Sequence, residues 1–108
     1  MMSRLVVHRW ENLDLHKITK MVSRKIVSAN SQVVSQVYLK RGAHIPSYIS
    51  EGDHSIYVLQ GLLRMVVDGQ EIVIGEGEIV QIPVRAIRQA EALADTFAIE
   101  FVNSIRPA

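Results

Sequence analysis

The sequence predicts an all-β protein, a sandwich or barrel of short antiparallel strands. Three observations carry that prediction. Short apolar runs recur along the chain, with turn residues between them roughly every eight to twelve residues. Asp68-Gly69 stands between two such runs and supplies the positive φ values that a two-residue hairpin needs. Thr96-Phe97-Ala98-Ile99-Glu100-Phe101-Val102 alternates, so that Phe97, Ile99 and Phe101 share one face.

Taken in order, Leu5-Val6-Val7 reads as a short strand and Trp10-Glu11-Asn12-Leu13 as a turn anchored by Trp10. Lys25-Ile26-Val27 is strand-like, Ser28 to Ser31 is a turn, and Val33 to Leu39 alternates as a half-buried strand. Gly42 opens a short extended piece stopped by Pro46. A polar tip follows at Ser50-Glu51-Gly52-Asp53, and the apolar strand Ile56 to Leu59 ends at Gly61. Leu62 to Val67 and Glu71 to Ile74 flank the Asp68-Gly69 hairpin. Gly75-Glu76-Gly77 turns the chain into Ile79 to Ile82, which Pro83 ends. One segment speaks differently: Ala86 to Ala94 is rich in strong helix formers, and by propensity alone it forms a helix of about two turns.

The chain has 108 residues, 48% hydrophobic and 21% charged, which suits one soluble globular domain with a single core. No apolar run approaches the roughly 18–20 residues that cross a bilayer, and the first residues lack the pattern of a secretory leader, so the expected compartment is the cytoplasm, with no membrane partner. The absence of cysteine removes disulfides, thiolate metal sites and a cysteine nucleophile. Net charge is +1, yet residues 1–41 hold eight Lys/Arg against two Asp/Glu, and residues 42–108 hold four against nine. The basic residues are scattered, with only Trp10 and Tyr38 among them to stack on bases, so a solvated face, or one complementary to a second subunit, is favoured over a nucleic-acid surface.

Two glycine-anchored spacings then resemble the paired motifs of the cupins. In that family the first motif runs from a glycine through a His-x-His pair and a Glu or Gln to a second glycine. Counting from Gly42 puts the histidine positions at Tyr48 and Ser50, and counting back from Gly61 puts the Glu/Gln position at His54. The second motif begins at Gly77 and keeps its proline at Pro83, while its later glycine falls on Arg85, its histidine on Arg88 and its Asn on Ala92. The two motifs cover residues 42–92, and the looser match nearly the whole chain. The resemblance is to small single-domain, RmlC-like cupins of the type-2 family. It implies a double-stranded β-helix, or jelly-roll, barrel of two antiparallel sheets and a homodimer, and it makes residues 86–94 loop and strand. The domain is expected to span 1–108, with 1–23 as an N-terminal extension and edge strand and 24–104 as the barrel.

Carried onto this chain, the family's four metal-ligand positions hold Tyr48, Ser50, His54 and Arg88. One imidazole does not hold a divalent ion where three imidazoles and an oxygen are usual, and a guanidinium offers only donors, so no metal and no other cofactor is expected. The same set suits an anion. Arg88 can grip a carboxylate through two parallel hydrogen bonds, Tyr48 and Ser50 offer hydroxyls, and His54 donates or accepts with its protonation. The bland alternatives are a Tyr48 that plugs the barrel, an Arg88 that reaches solvent or pairs with Glu51, Asp53 or Glu91, and a loop His54. His16 and His44 are read as surface or satisfied structural histidines.

The ending Glu100-Phe101-Val102…Arg106 resembles that of pectin-degradation-type cupins, which act on unsaturated uronic acids and carry an acid, an aromatic two residues on and an arginine four further. Here Glu100 and Arg106 match, and Val102 replaces the aromatic. Glu100 would be a general base and Arg106 a carboxylate clamp. If Phe97, Ile99 and Phe101 face the core, Glu100 faces water; if they face a partner subunit, Glu100 faces the cavity. Three functions follow as expectations: a metal-free barrel binding a small anionic metabolite such as a sugar acid in its central pocket, with little or no catalysis; a sugar-acid isomerase-like enzyme using Glu100 and Arg106; and a structural or regulatory barrel with a filled pocket.

Overall fold

The computed structural model describes residues 5–104. Ten strands account for the architecture: β1 (His16–Lys17), β2 (Val22–Ser28), β3 (Gln32–Leu39), β4 (His44–Ile49), β5 (Gly52–Gln60), β6 (Leu62–Val67), β7 (Gln70–Gly75), β8 (Ile79–Ile82), β9 (Ile87–Ala92) and β10 (Thr96–Ser104). They form a six-stranded sheet in the order β1-β2-β3-β10-β5-β8 and a four-stranded sheet in the order β4-β9-β6-β7. Every pairing in both sheets is antiparallel. The expected jelly roll of two sheets is therefore the fold. No helix among the described residues is long and apolar enough to cross a membrane.

Period-two alternation builds the core between the sheets. Inward positions on both sheets bring together Val37, Leu39, Ile56, Val58, Leu63, Met65, Ile74 and Ile82, with Val58 and Met65 completely buried. The hairpin expected at Asp68-Gly69 joins β6 to β7, and its two central residues have φ of 48° and 81°. Positive φ at both is the turn whose twist matches the flanking strands.

Four local expectations fail, each for a physical reason. Residues 87–92 are strand β9 rather than helix: Arg88, Ala90 and Ala92 point inward while Ile87 stays exposed. Here β9 pairs with β4 on one side and β6 on the other, and those two ladders outweigh the modest helix preference of a segment too short to be stable alone. Leu5-Val6-Val7 forms no strand; Leu5 is 94% exposed and no ladder lies beside it. Pro46 does not stop its strand. At the edge of the four-stranded sheet the missing N–H costs no ladder bond, and β4 runs on to Ile49 with a register break between Ile45 and Tyr48. The polar tip is shorter than its composition suggests, because β5 already begins at Gly52 and carries Asp53 and His54 into the ladder with β10.

Strand β10 decides which way Glu100 faces. Thr96 and Ala98 are buried, whereas Phe101 is 37% exposed and Phe97 and Ile99 are half-buried. The aromatic row lies on the outside of the sheet, so Glu100 points between the sheets.

Candidate functional site

Four strands, two from each sheet, converge on one polar cluster. Tyr48 on β4 is the register partner of Arg88 on β9, and the Arg88 guanidinium carbon lies 4.4 Å from the centroid of the Tyr48 ring. This cross-strand cation–π contact holds Arg88 in the interior, where it is only 4% exposed. From the opposite sheet, His54 on β5 pairs with Val102, which makes Glu100 its diagonal neighbour on the inner face. His54 Nε2 lies 2.9 Å from Glu100 Oε2, with the imidazole 2% and the carboxylate side chain 19% exposed.

The charges of the cluster act on each other across the sandwich. Burial lowers the Arg88 pKa, only partly opposed by the charge of Glu100, and the guanidinium remains a cation because its ordinary value is so high. Burial pushes the Glu100 carboxyl up, but the hydrogen bond and charge of His54, with the charges of Arg88 and Arg24, outweigh it. The net pKa is lowered and Glu100 is ionised at neutral pH. An ionised Glu100 only accepts, so His54 Nε2 carries the shared proton and donates it. Two buried nitrogens lack a partner among the described residues: His54 Nδ1 and Arg88 Nε. Arg88 also takes part in none of the ion pairs among the described residues.

Two spaces of very different size adjoin the cluster. Inside, Leu39, Ile56, Tyr48, Arg88 and Glu100 enclose a chamber of about 10 Å³, close to the minimum that holds one water. Outside it, the open edge between β2 and β4 forms a cleft of about 330 Å³. Ile45, Tyr48, Arg88 and Glu100 line both spaces and form the wall between them. The inner chamber is thus nearly filled, and the room for a small molecule beside Arg88 and Glu100 is in the lateral cleft, at the low end of the roughly 300–1,000 Å³ typical of ligand sites.

Of the residues expected at the site, Tyr48, Arg88 and Glu100 meet at the cleft, and His54 reaches it through Glu100. Ser50 lines neither space. It is buried, and its hydroxyl donates to the Gly52 carbonyl at 3.0 Å across the β4–β5 turn. Arg88 does not reach solvent and pairs with none of Glu51, Asp53 or Glu91; Glu91 instead accepts from Arg64 at 3.0 Å and lies 3.6 Å from an exposed His44. Arg106 lies outside the described residues. Sequence reasoning missed Arg24, which lines the cleft from β2, and the pairing of His54 with Glu100. Arg24 shares parity with Val22 and Ile26, a signal that was present; the His54–Glu100 pairing depends on a ladder register that no local pattern encodes.

A family model described as a cupin domain matches residues 35–103, most of the chain. The chain belongs to the cupin domain family. An RmlC-like cupin from Shewanella frigidimarina NCIMB 400 superposes with a TM-score of 0.86 at 18% identity, over 98% of this chain and 96% of that one. KdgF from Halomonas sp. gives 0.80 at 24% identity over 89% and 90%. A predicted oxalate decarboxylase from Thermotoga maritima gives 0.80 at 16% over 93% and 100%. At such identities these likenesses establish the cupin barrel alone. No curated protein matches the sequence.

One backbone detail supports the placement of the second motif. Arg85, at the position where cupins carry the motif's later glycine, has φ of 69°, a conformation glycine adopts without cost. The metal implied by that motif does not fit this chain. Arg88 stands at a ligand position with donors only, His54 Nε2 is engaged by Glu100, and no group of three His, Cys, Asp or Glu among the described residues is arranged to hold an ion.

Proposed function

We propose that this cupin binds a small hydroxylated carboxylate, such as a sugar acid, in the lateral cleft without a metal. The observation that carries the proposal is Arg88: a buried guanidinium on the cleft wall, stacked on Tyr48 and in no ion pair among the described residues. Burying a cation without a partner is costly, and an incoming carboxylate removes the cost by accepting two parallel hydrogen bonds. Glu100 beside it is an ionised acceptor for a ligand hydroxyl, and His54 holds that carboxylate in place and in its charged form. The positive charge that a metal would contribute in such a barrel is supplied here by Arg88.

A second function rests on the 2.9 Å contact of His54 with Glu100. An ionised carboxylate lining the cleft and backed by an imidazole is placed to take a proton from a bound hydroxy acid, which is acid–base turnover of the isomerase kind. We also propose a homodimer. Phe97, Ile99 and Phe101 face away from the core, and the Tyr38 ring stacks on Phe97 at 4.8 Å, so this outer face offers apolar surface to a second copy.

Calorimetry with glycerate, glycolate and tartrate on the wild type and on Arg88→Met tests the binding function. Two charge-assisted hydrogen bonds contribute about 1.5–3 kcal/mol each, so Arg88→Met should weaken binding by about 100-fold or more. Wild-type affinity retained in Arg88→Met overturns the proposal.

A further inference from the structure

The cleft carries a second guanidinium, Arg24, that forms no ion pair among the described residues. We propose that Arg24 selects ligands with a second anionic group, so that the molecule held at Arg88 is a hydroxylated dicarboxylate rather than a monocarboxylate. This rests on the carboxylate binding proposed above and adds its substrate class.

Strand alternation fixes where Arg24 goes. On β2, Val22 and Arg24 both line the cleft, while Lys25 turns to the other side, where its Nζ donates to the Trp10 carbonyl at 2.8 Å. Arg24 faces Val37 on β3, and Val37 faces Ala98 on β10, so Arg24 lies one inward position along from Glu100 and two strands across. Arg88 approaches the same carboxylate from the opposing sheet. Two guanidinia therefore flank Glu100, and neither forms an ion pair among the described residues. Glu100 already shares a proton with His54. His44, the other basic group on the rim, faces Glu91.

The wall thus presents two cations against one carboxylate, and each guanidinium has donors to spare. A monocarboxylate on Arg88 would leave Arg24 without an anion. A molecule with carboxylates at both ends and a hydroxyl between them complements all three groups: one acid on Arg88, the other on Arg24, the hydroxyl donating to Glu100. The two arginines differ in exposure, since Arg88 is buried and Arg24 is exposed. Arg88 consequently anchors the ligand, and Arg24 adds a salt-sensitive increment that discriminates.

The test is calorimetry of wild type, Arg24→Gln and Arg88→Met with tartrate and galactarate against glycerate and glycolate, at low and at physiological ionic strength. The wild type should prefer the dicarboxylates by about 10-fold, the effect of one exposed charge-assisted contact. Arg24→Gln should weaken dicarboxylate binding by about 10-fold and glycerate binding by much less, which abolishes the preference, and added salt should shrink it. Arg88→Met should lose both classes. Equal wild-type affinity for tartrate and glycerate, or a preference that survives Arg24→Gln, overturns the role of Arg24 while Arg88-dependent binding stands. No carboxylate binding to the wild type, or binding indifferent to Arg88, overturns both. Arg24 is exposed, so a matching thermal melt for Arg24→Gln confirms that the comparison is between folded proteins.

Discussion

Arg64 and Arg88 sit on neighbouring strands of one sheet, β6 and β9, and point to opposite faces of it. Arg64 lies on the outer face, with Nη1 2.6 Å from Glu71 and Nη2 3.0 Å from Glu91. Those two hydrogen bonds raise its pKa. Arg88 lies on the inner face, nearly out of reach of water, with an aromatic ring for company and an unpartnered Nε. One arginine is satisfied where satisfaction matters least, and the other is unsatisfied where it matters most. An exposed ion network contributes little to the sheet, whereas the interior arginine is what the proposed carboxylate binding rests on.

The sharpest way to break this contrast is to remove each guanidinium in turn. Arg88→Met should abolish carboxylate binding in calorimetry yet raise the thermal stability of the free protein, by about 1–2 kcal/mol, because a buried charge with no ion pair among the described residues, only partly offset by Tyr48 and Glu100, is replaced by an apolar chain of similar shape. A destabilised Arg88→Met would mean that Arg88 is a structural cation with a partner of its own. Next in size is His54→Ala. It opens a cavity and strips the Glu100 carboxylate of its donor, and should cost about 3 kcal/mol in chemical denaturation.

The pH dependence sharpens the same comparison. The folded-state pKa of Glu100 lies below its unfolded value, despite burial, because of His54, Arg88 and Arg24. Its contribution is therefore complete above the ordinary carboxylate range and is lost as pH falls through the depressed folded value. Wild-type stability should fall in that acidic window more steeply than that of Glu100→Gln, as measured by melts across pH; parallel curves would remove Glu100 from the cluster. A third arginine gives a smaller effect. Arg85 occupies a left-handed backbone position, and Arg85→Gly should gain about 1 kcal/mol without touching ligand affinity. Smallest of all, Arg64→Ala should leave the melting temperature almost unmoved, since exposed pairs of this kind contribute little.

Much of the fold was legible because it is written in short-range chemistry. The Asp68-Gly69 turn, the stop at Pro83 and the glycine spacings from Gly42, Gly61 and Gly77 all act within a few residues of themselves. Orientation was not legible. Alternation groups Phe97, Ile99 and Phe101 on one face but does not say whether that face is in or out, because a strand with aromatic residues outside and a carboxylate inside inverts the usual preference. Strand β9 was obscured locally for the opposite reason: its alanines favour helix, and it was the cupin spacing that made residues 86–94 loop and strand, as the ladders to β4 and β6 bear out. The site followed the same division. Tyr48, His54 and Arg88 were placed by motif spacing, whereas Glu100 joined them through β5–β10 register, and Ser50 was withdrawn by a local bond to Gly52.

The proline within β4 has a consequence for assembly. Strand β4 is the outermost member of its sheet, and outermost strands invite a neighbouring chain to dock edge-on and continue the hydrogen-bonding pattern. Pro46 contributes no donor to such a union, and the irregularity from Ile45 to Tyr48 puts the remaining backbone groups out of step with any straight partner. Growth of a continuous sheet between molecules is thereby blunted along the very border that the cleft opens on, and copies of this chain that associate are steered toward face-against-face contact, leaving that border open to solutes.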